Sequence, residues 1–530
     1  MKTFVTFILL LTICYACKKE SVSSNGKDPY DDNVQPAVII SKNGISPAKG
    51  APNDEVTVSG KGFAKNKDKL VILFNGQRAD IISLTDTTVR VRVPALAGTG
   101  SVSAQVEQQY FFGPFFRVLG SFEMDTLFPG DRGANNMIAD IIPVENGKYL
   151  IVGAFNNYDN ANIDGGVNCV ARINHDGTLD RSFTYGKKTG TNTFVNTGAP
   201  LPRGEYLVAG GFNSYEGIGY VNSIAKLYSN GSLQTVKTKL ASGTELQTSA
   251  MKGGVSGQVN NLLLQQDGKM VLTGAFRYYV QPNFSLTGST GLDSIHLDSI
   301  QATNIIRLQS DGSIDSTFNY DLVNHRGKES VNGFIGRTLL LPDGKIIITG
   351  NFTRYNGQDA RRIARLNPDG SLDMSFNTGA GADQPIYSIT RQPDGKYIIV
   401  GAFNNYNGQT APHVARLNED GTLDPSFRMD QNADGYIFSA DVMPGGEIIL
   451  SGTFQRFGYL LCNNIVVLRS DGAIHPTYNT NGGVSLGERA VSGGIARIVQ
   501  QPAEKAMLIV GSFTKYDYRN SNRIVRVKYK

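Results

Sequence analysis

Ile386-Tyr-Ser-Ile-Thr-Arg-Gln, Pro393-Asp-Gly, Lys396-Tyr-Ile-Ile-Val-Gly-Ala-Phe403, Tyr406-Asn-Gly, His413-Val-Ala-Arg-Leu-Asn418, Glu419-Asp-Gly and Thr422-Leu-Asp-Pro-Ser-Phe427 follow one another in a single stretch of the chain. Short apolar runs alternate there with Asp-Gly and Asn-Gly, dipeptides that favour hairpin turns because both residues tolerate positive φ. The pattern predicts four short antiparallel strands. Outward from this stretch the frame recurs, marked by Gly-x-Phe at Gly153, Gly210, Gly274, Gly350, Gly401, Gly452 and Gly511. A four-stranded antiparallel unit of about 50 residues in tandem copies is a β-propeller blade, and seven copies predict seven blades.

Comparing the copies exposes a pairing rule. The third strand carries a basic residue and the fourth answers with Asp: Arg172 with Asp180, Arg307 with Asp315, Arg365 with Asp373, Arg416 with Asp424. Two units break the rule on both sides, with Lys226 facing Gln234 and Val467 facing His475. Paired loss is what electrostatics favours, because removing one partner strands a buried charge. The alternative, a ring of anion or metal sites, is disfavoured because each Asp is already matched by an Arg. The seventh unit ends on its third strand, Arg523-Ile-Val-Arg-Val-Lys-Tyr-Lys530, and the missing fourth precedes the first unit as Gly120-Ser-Phe-Glu-Met-Asp125-Thr-Leu-Phe128. A ring closed by an N-terminal strand abolishes exposed edges, and the rule then pairs Arg526 with Asp125.

The frame resembles the delta-60 β-propeller repeat, over residues 118–530. Ahead of it, Ile45-Ser-Pro-Ala-Lys-Gly, Val58-Ser-Gly-Lys-Gly-Phe63, Val71-Ile-Leu-Phe-Asn-Gly and Val89-Arg-Val-Arg-Val-Pro94 alternate with period two and resemble an IPT/TIG immunoglobulin-like domain over residues 36–117. That resemblance implies a spacer or contact module. The chain is thus expected to be all-β: an immunoglobulin-like sandwich, then a seven-bladed propeller.

The first 16 residues read as a signal peptide, with Lys2, the apolar run Phe4–Ile13 and small Ala16 before Cys17. Cys14-Tyr-Ala-Cys17 resembles a Bacteroidetes lipobox with Cys14 in place of the usual Leu, which implies a lipid on Cys17 and a membrane as partner at the outer membrane or cell surface. Residues 17–35 are polar and read as a flexible tether. Cys169 and Cys462 are expected to be unpaired buried thiols.

A net charge of +5 on 530 residues, without a Lys/Arg block, sets nucleic acid aside. No His/Cys cluster has metal spacing and no Ser-centred elbow is visible. The Asn367-Pro-Asp-Gly-Ser-Leu-Asp373 type of turn lacks the later Glu of a calcium loop. Neither cofactor nor metal is expected.

Length variation is expected on the face that carries the second-to-third turns and the blade links: Val236 to Val259, Arg277 to Thr303, Asn319 to Gly333, Tyr478 to Gly494. The third unit's insertion offers Tyr278, Tyr279, Phe284, Asp293 and His296 as ligand-binding candidates, since aromatics stack on sugar rings and carboxylates bind hydroxyls; a self-packed excursion is the structural alternative. Tyr158, Tyr215, Tyr355, Tyr406 and Tyr516 share one frame position and are expected to pack. Two readings follow: a surface binding module for a polysaccharide or a surface protein, or an extracytoplasmic, carbohydrate-active enzyme at the channel mouth.

Overall fold

The computed structural model describes residues 36–159, 167–183, 190–287, 293–486, 491–492 and 494–530. Cys17, the leader and the tether lie outside them. The described residues form two sandwiched sheets followed by a closed ring of seven small sheets.

In the sandwich, strands Ile39–Ser46, Glu55–Lys61, Thr88–Arg92 and Asp80–Leu84 form one sheet. The second holds Lys49–Gly50, Gln109–Val118, Gly100–Val106, Leu70–Phe74 and Gln77–Arg78. Period-two alternation sends Val56, Val58, Val89 and Val91 inward against Ile72, Phe74, Val102 and Phe116. The Gly-Lys-Gly-Phe turn needs its second glycine: Gly62 has φ +84°, and a Cβ there would strike the carbonyl of Ala37.

Each blade is built on three antiparallel strands, as in Ile386–Arg391, Tyr397–Gly401 and Val414–Leu417 of the fifth. Val-, Ile- and Leu-rich central strands bury both faces between neighbouring blades. The Tyr-Asn-Gly hairpins hold Asn407 at φ 48° and Gly408 at φ 73°, the pair of positive values that an Asn-Gly turn supplies. The expected fourth strand is reduced in the first six blades to a single bridge, Leu417 with Leu423 in the fifth. In the fifth blade an Asp follows the bridge. Asp424 Oδ1 accepts the backbone N–H of Ser426 at 2.9 Å and its hydroxyl at 2.7 Å, which bends the chain out of extension.

Ring closure gives the seventh blade a full fourth strand. Phe122–Met124 pairs antiparallel with Ile524–Tyr529, matching Phe122 to Tyr529 and Met124 to Val527. The sandwich meets this region through an ion pair of Arg117 with Asp517 and a hydrogen bond from Thr99 N to Thr480 O of 2.7 Å.

Candidate functional site

The first strands of the seven blades stand side by side around the axis. In each, a buried aliphatic residue pairs with the Gly of the Gly-x-Phe motif: Ile138 with Gly153, Val195 with Gly210, Val259 with Gly274, Ile335 with Gly350, Ile386 with Gly401, Ile437 with Gly452 and Ile495 with Gly511. A β-bulge follows every one of these pairs. Bulges re-aim side chains. Two residues on stand Asp140, Thr197, Asn261, Arg337, Ser388, Ser439 and Arg497, one from each blade and all polar, in an otherwise apolar interior.

Five of these positions, Asp140, Thr197, Asn261, Arg337 and Arg497, line a recess of about 470 Å³ together with Asn260. Thr197 Oγ1 donates to Asp140 Oδ2 at 3.1 Å and the N–H of Ile141 to its Oδ1 at 2.9 Å. Arg497 Nε stands 3.6 Å from the same carboxylate. Arg337, from the fourth blade, donates through Nη1 to Ser439 Oγ of the sixth at 3.3 Å. Burial dominates the carboxyl at Asp140 and pushes its pKa up to about 6 despite the opposing field of Arg337. Burial likewise raises Asp441, which lies two residues beyond Ser439. Ser388 Oγ, Thr338 Oγ1 and Arg497 Nε are buried without a hydrogen-bond partner. Unsatisfied buried polar atoms of this kind call for a ligand or water.

One sector of the mouth is aromatic. At the position after the buried aliphatic residue, five blades carry Ala139, Asn196, Asn260, Gly336 and Ala496, whereas the fifth and sixth carry Tyr387 and Phe438. Their rings lie 5.4 Å apart, and Tyr436 stacks on Phe438 at 6.2 Å and 20°. Tyr436 is 54 % exposed and Phe438 42 %, with Phe334 of the fourth blade at 45 %. This is an aromatic shelf beside a polar recess.

The insertion in the third blade is a long hairpin of Met270–Thr287 and Asp293–Gln301. It does not bring its five candidates together. Tyr279 is corrected to a core residue: it is 2 % exposed and its hydroxyl donates to Gly312 O at 3.2 Å. The same bond runs from Tyr158 to Gly177, Tyr215 to Gly231, Tyr355 to Gly370 and Tyr406 to Gly421, so Tyr279 is the frame tyrosine of its blade. The spacing Phe276-x-x-Tyr279, identical to Phe403-x-x-Tyr406, carried that signal. Tyr278 is exposed in a separate recess with Arg277, Asn304 and Asn332. Phe284 meets Tyr220 edge to face at 6.5 Å, across a small cleft of about 280 Å³ shared with a second inserted hairpin, Thr235–Lys239 and Glu245–Ser249. His296 is exposed on the returning strand, and the side chain of Asp293 lies outside the described residues.

The Arg–Asp partners sit away from the belt, at the turns between first and second and between third and fourth strands. Nε to Oδ2 distances are 2.6 Å for Arg172 with Asp180 and 2.7 Å for Arg307 with Asp315, Arg365 with Asp373, Arg416 with Asp424 and Arg526 with Asp125. Each guanidinium also lies over a Phe, at 4.7 Å for Arg365 above Phe376. A lysine from the preceding turn joins four of the pairs, Lys148, Lys269, Lys345 and Lys396. Where the rule breaks, that position becomes acidic. Glu205 then takes Lys226 as partner at 3.3 Å.

Among the described residues no group of three or more His, Cys, Asp or Glu is placed to hold a metal ion. Cys169 and Cys462 are buried and unpaired.

Comparison with known proteins agrees with this architecture. Residues 42–115 match the IPT/TIG domain, and residues 145–183, 290–318, 341–376 and 392–427 match the "Domain of unknown function (DUF5122) beta-propeller". The chain therefore carries both modules. No curated protein matches it. Among solved structures, a protein of unknown function from Bacteroides thetaiotaomicron aligns at 13 % identity and TM-score 0.31, covering 94 % of this chain and 98 % of its own. An auxiliary nutrient binding protein from Bacteroides ovatus aligns at 13 % and 0.29, covering 93 % and 98 %. A second auxiliary nutrient binding protein, from Bacteroides thetaiotaomicron, aligns at 10 % and 0.33, covering 92 % and 97 %.

Proposed function

We propose that this chain, an IPT/TIG domain joined to a seven-bladed propeller, is a lipid-anchored extracytoplasmic binding protein that captures a glycan at the mouth of its propeller axis. The observation that carries the reading is the aromatic shelf of Tyr387, Tyr436 and Phe438 beside the axial belt, where the Ser388 and Arg497 donors, and Thr338 next to the belt's Arg337, are orphaned. A pyranose has an apolar C–H face that stacks on aromatic rings and a rim of hydroxyls that needs donors and acceptors. Shelf and belt supply the two halves. Both rest on first strands held from both sides by the ring, and a rigid frame lowers the ordering cost of binding.

The anchor is the lipid on Cys17, with residues 17–35 as tether and the outer membrane or cell surface as location; the leader sequence supports it. Metabolic labelling with a fatty-acid analogue is expected to be lost in Cys17→Ser and kept in Cys14→Ser. Binding is tested with the full-length protein on a panel of neutral and acidic oligosaccharides. The double variant Tyr436→Ala/Phe438→Ala is expected to lose glycan binding while unfolding at the parent's denaturant midpoint, because both rings are already substantially exposed. Undiminished binding in that variant, or no retained glycan at all, overturns the reading.

A further inference from the structure

We infer that the glycan bound at the axis is acidic, a uronate-bearing chain whose carboxylate seats between Arg337 and Arg497; this rests on the glycan reading above. Both arginines line the recess, one from the fourth blade and one from the seventh. Each guanidinium has five N–H donors, and few are used. Arg337 makes the 3.3 Å bond to Ser439 Oγ, Arg497 makes none to a described residue, and its buried Nε is orphaned. A hydroxyl offers one acceptor atom to such a fork, whereas a carboxylate fills it with two parallel charge-assisted bonds.

The arginines elsewhere in the ring show what a satisfied guanidinium looks like in this fold. Arg365 spends Nε on Asp373 at 2.7 Å, Nη1 on Glu419 O at 2.9 Å and Nη2 on Ser375 Oγ at 3.1 Å. Arg337 and Arg497 have no such set of partners, so their donors stand ready for an incoming acceptor.

The belt's own carboxylates do not cancel this. Asp140 already accepts from Thr197 and from the Ile141 amide, and it stands beyond hydrogen-bond distance from Arg497. The charged groups lining the recess are Arg337 and Arg497 against Asp140, with Asp441 acting on Arg337 from beside it; the belt's other members, Thr197, Asn261, Ser388 and Ser439, are neutral. Burial lifts the Asp140 carboxyl to about 6, so it can take up a proton when a second anion arrives. Acidic glycan is then held more tightly at pH 5.5 than at pH 7.5, and binding draws protons from the buffer.

The experiment compares oligogalacturonate and oligoalginate with the same oligomers after chemical reduction of their carboxyls, using the full-length protein and isothermal calorimetry in two buffers. Two charge-assisted hydrogen bonds are expected to favour the native oligouronate by about tenfold or more. Arg497→Gln, at a side chain 41 % exposed, should remove that preference without unfolding the protein. Equal affinity for native and reduced oligomers overturns the acidic assignment and leaves glycan binding standing. Retention of neutral glycans alone does the same, whereas no binding of any glycan overturns both.

Discussion

Arg526→Met tests ring closure at the seam where the two ends of the propeller meet. Arg526 donates through Nε and Nη2 to Asp125 Oδ2 at 2.7 and 2.6 Å, and its guanidinium lies 5.4 Å above Phe128. The two side chains are 12 % and 3 % exposed. Breaking a buried pair costs roughly 3 to 5 kcal/mol because one charge is left unsolvated. Here Lys528 Nζ remains 3.2 Å from the stranded carboxylate, and Met keeps the apolar contact with Phe128, so about 2 to 3 kcal/mol is the expected loss. That loss falls on the closing strand, whose Phe122–Met124 amides are held to the last strand of the chain. Local opening there should rise by roughly 30- to 150-fold, read as faster hydrogen exchange at these amides. Arg365→Met is the control, since Asp373 is a near neighbour in the same blade, and it should leave exchange at Phe122–Met124 unchanged. Parent-like protection of that strand in Arg526→Met, or equal loosening in the control, would refute the closure argument.

Tyr279→Ala is expected to destabilise the protein by about 3 to 5 kcal/mol in chemical denaturation, as large-to-small core changes do, while Tyr278→Ala stays within about 0.5 kcal/mol. Replacing residues 282–298 with a short Gly-containing turn should leave the denaturation midpoint near the parent's, because the excised hairpin tip lies beyond buried Tyr279 and Ala302; cooperative unfolding lost on excision would make the hairpin structural. Asp140 has a folded pKa of about 6, above the roughly 3.9 of an unfolded Asp, so the folded state binds the extra proton and stability falls as pH rises from about 4 to 6. Asp140→Asn removes that penalty. It should exceed the parent's stability at pH 7.5 by about 1 to 3 kcal/mol and match it near pH 4, and an equal effect at both pH values would reject burial as the cause.

What the sequence disclosed follows from how far apart the cooperating residues lie within a repeat. Arg416 and Asp424 are eight positions apart in a frame that recurs, so their partnership, and by extension that of Arg526 with Asp125, could be read by aligning copies. The lysine that completes the cluster is 28 positions before its Asp in the fifth blade, and its exchange for Glu205 and Glu447 in the two exceptional blades was visible only once the turns were seen together. The polar belt was harder still. Its members are Asp, Thr, Asn, Arg, Ser, Ser and Arg, so no single residue type marks the position, and the bulge breaks the period-two count that would have pointed them inward. Equivalence lies in register, not identity. A signal existed all the same: every copy places a polar residue two positions after the first strand's buried aliphatic residue. The shortened fourth strand is not legible in sequence because Leu-Asp-Pro-Ser-Phe alternates like a strand, while the Asp side chain's bond to the Ser426 amide turns the chain.

The residues that hold the ring are kept apart from those that are free to bind. Each staple arginine reaches the next blade's turn, Arg172 to Ser229 O, Arg307 to Pro368 O, Arg365 to Glu419 O, Arg416 to Ser470 O and, across the closure, Arg526 to His175 O. The second and sixth blades have no such arginine. In the sixth, apolar packing replaces the pair: Val467 lies in a core with Ile498, Met507 and Val525, while His475 stacks on Tyr478 at 4.1 Å and Tyr478 on Phe122 at 4.6 Å. Well-packed apolar groups can substitute for a buried ion pair at little or no cost. Here they also clamp the closing strand, because Phe122 belongs to it and the Tyr478 hydroxyl donates to Lys530 O at 3.0 Å. Inter-blade cohesion is thus met at the turns and in the apolar faces, and the axial positions add only scattered bonds such as Thr197 to Asp140 and Arg337 to Ser439. Five kinds of polar side chain can then occupy the seven positions.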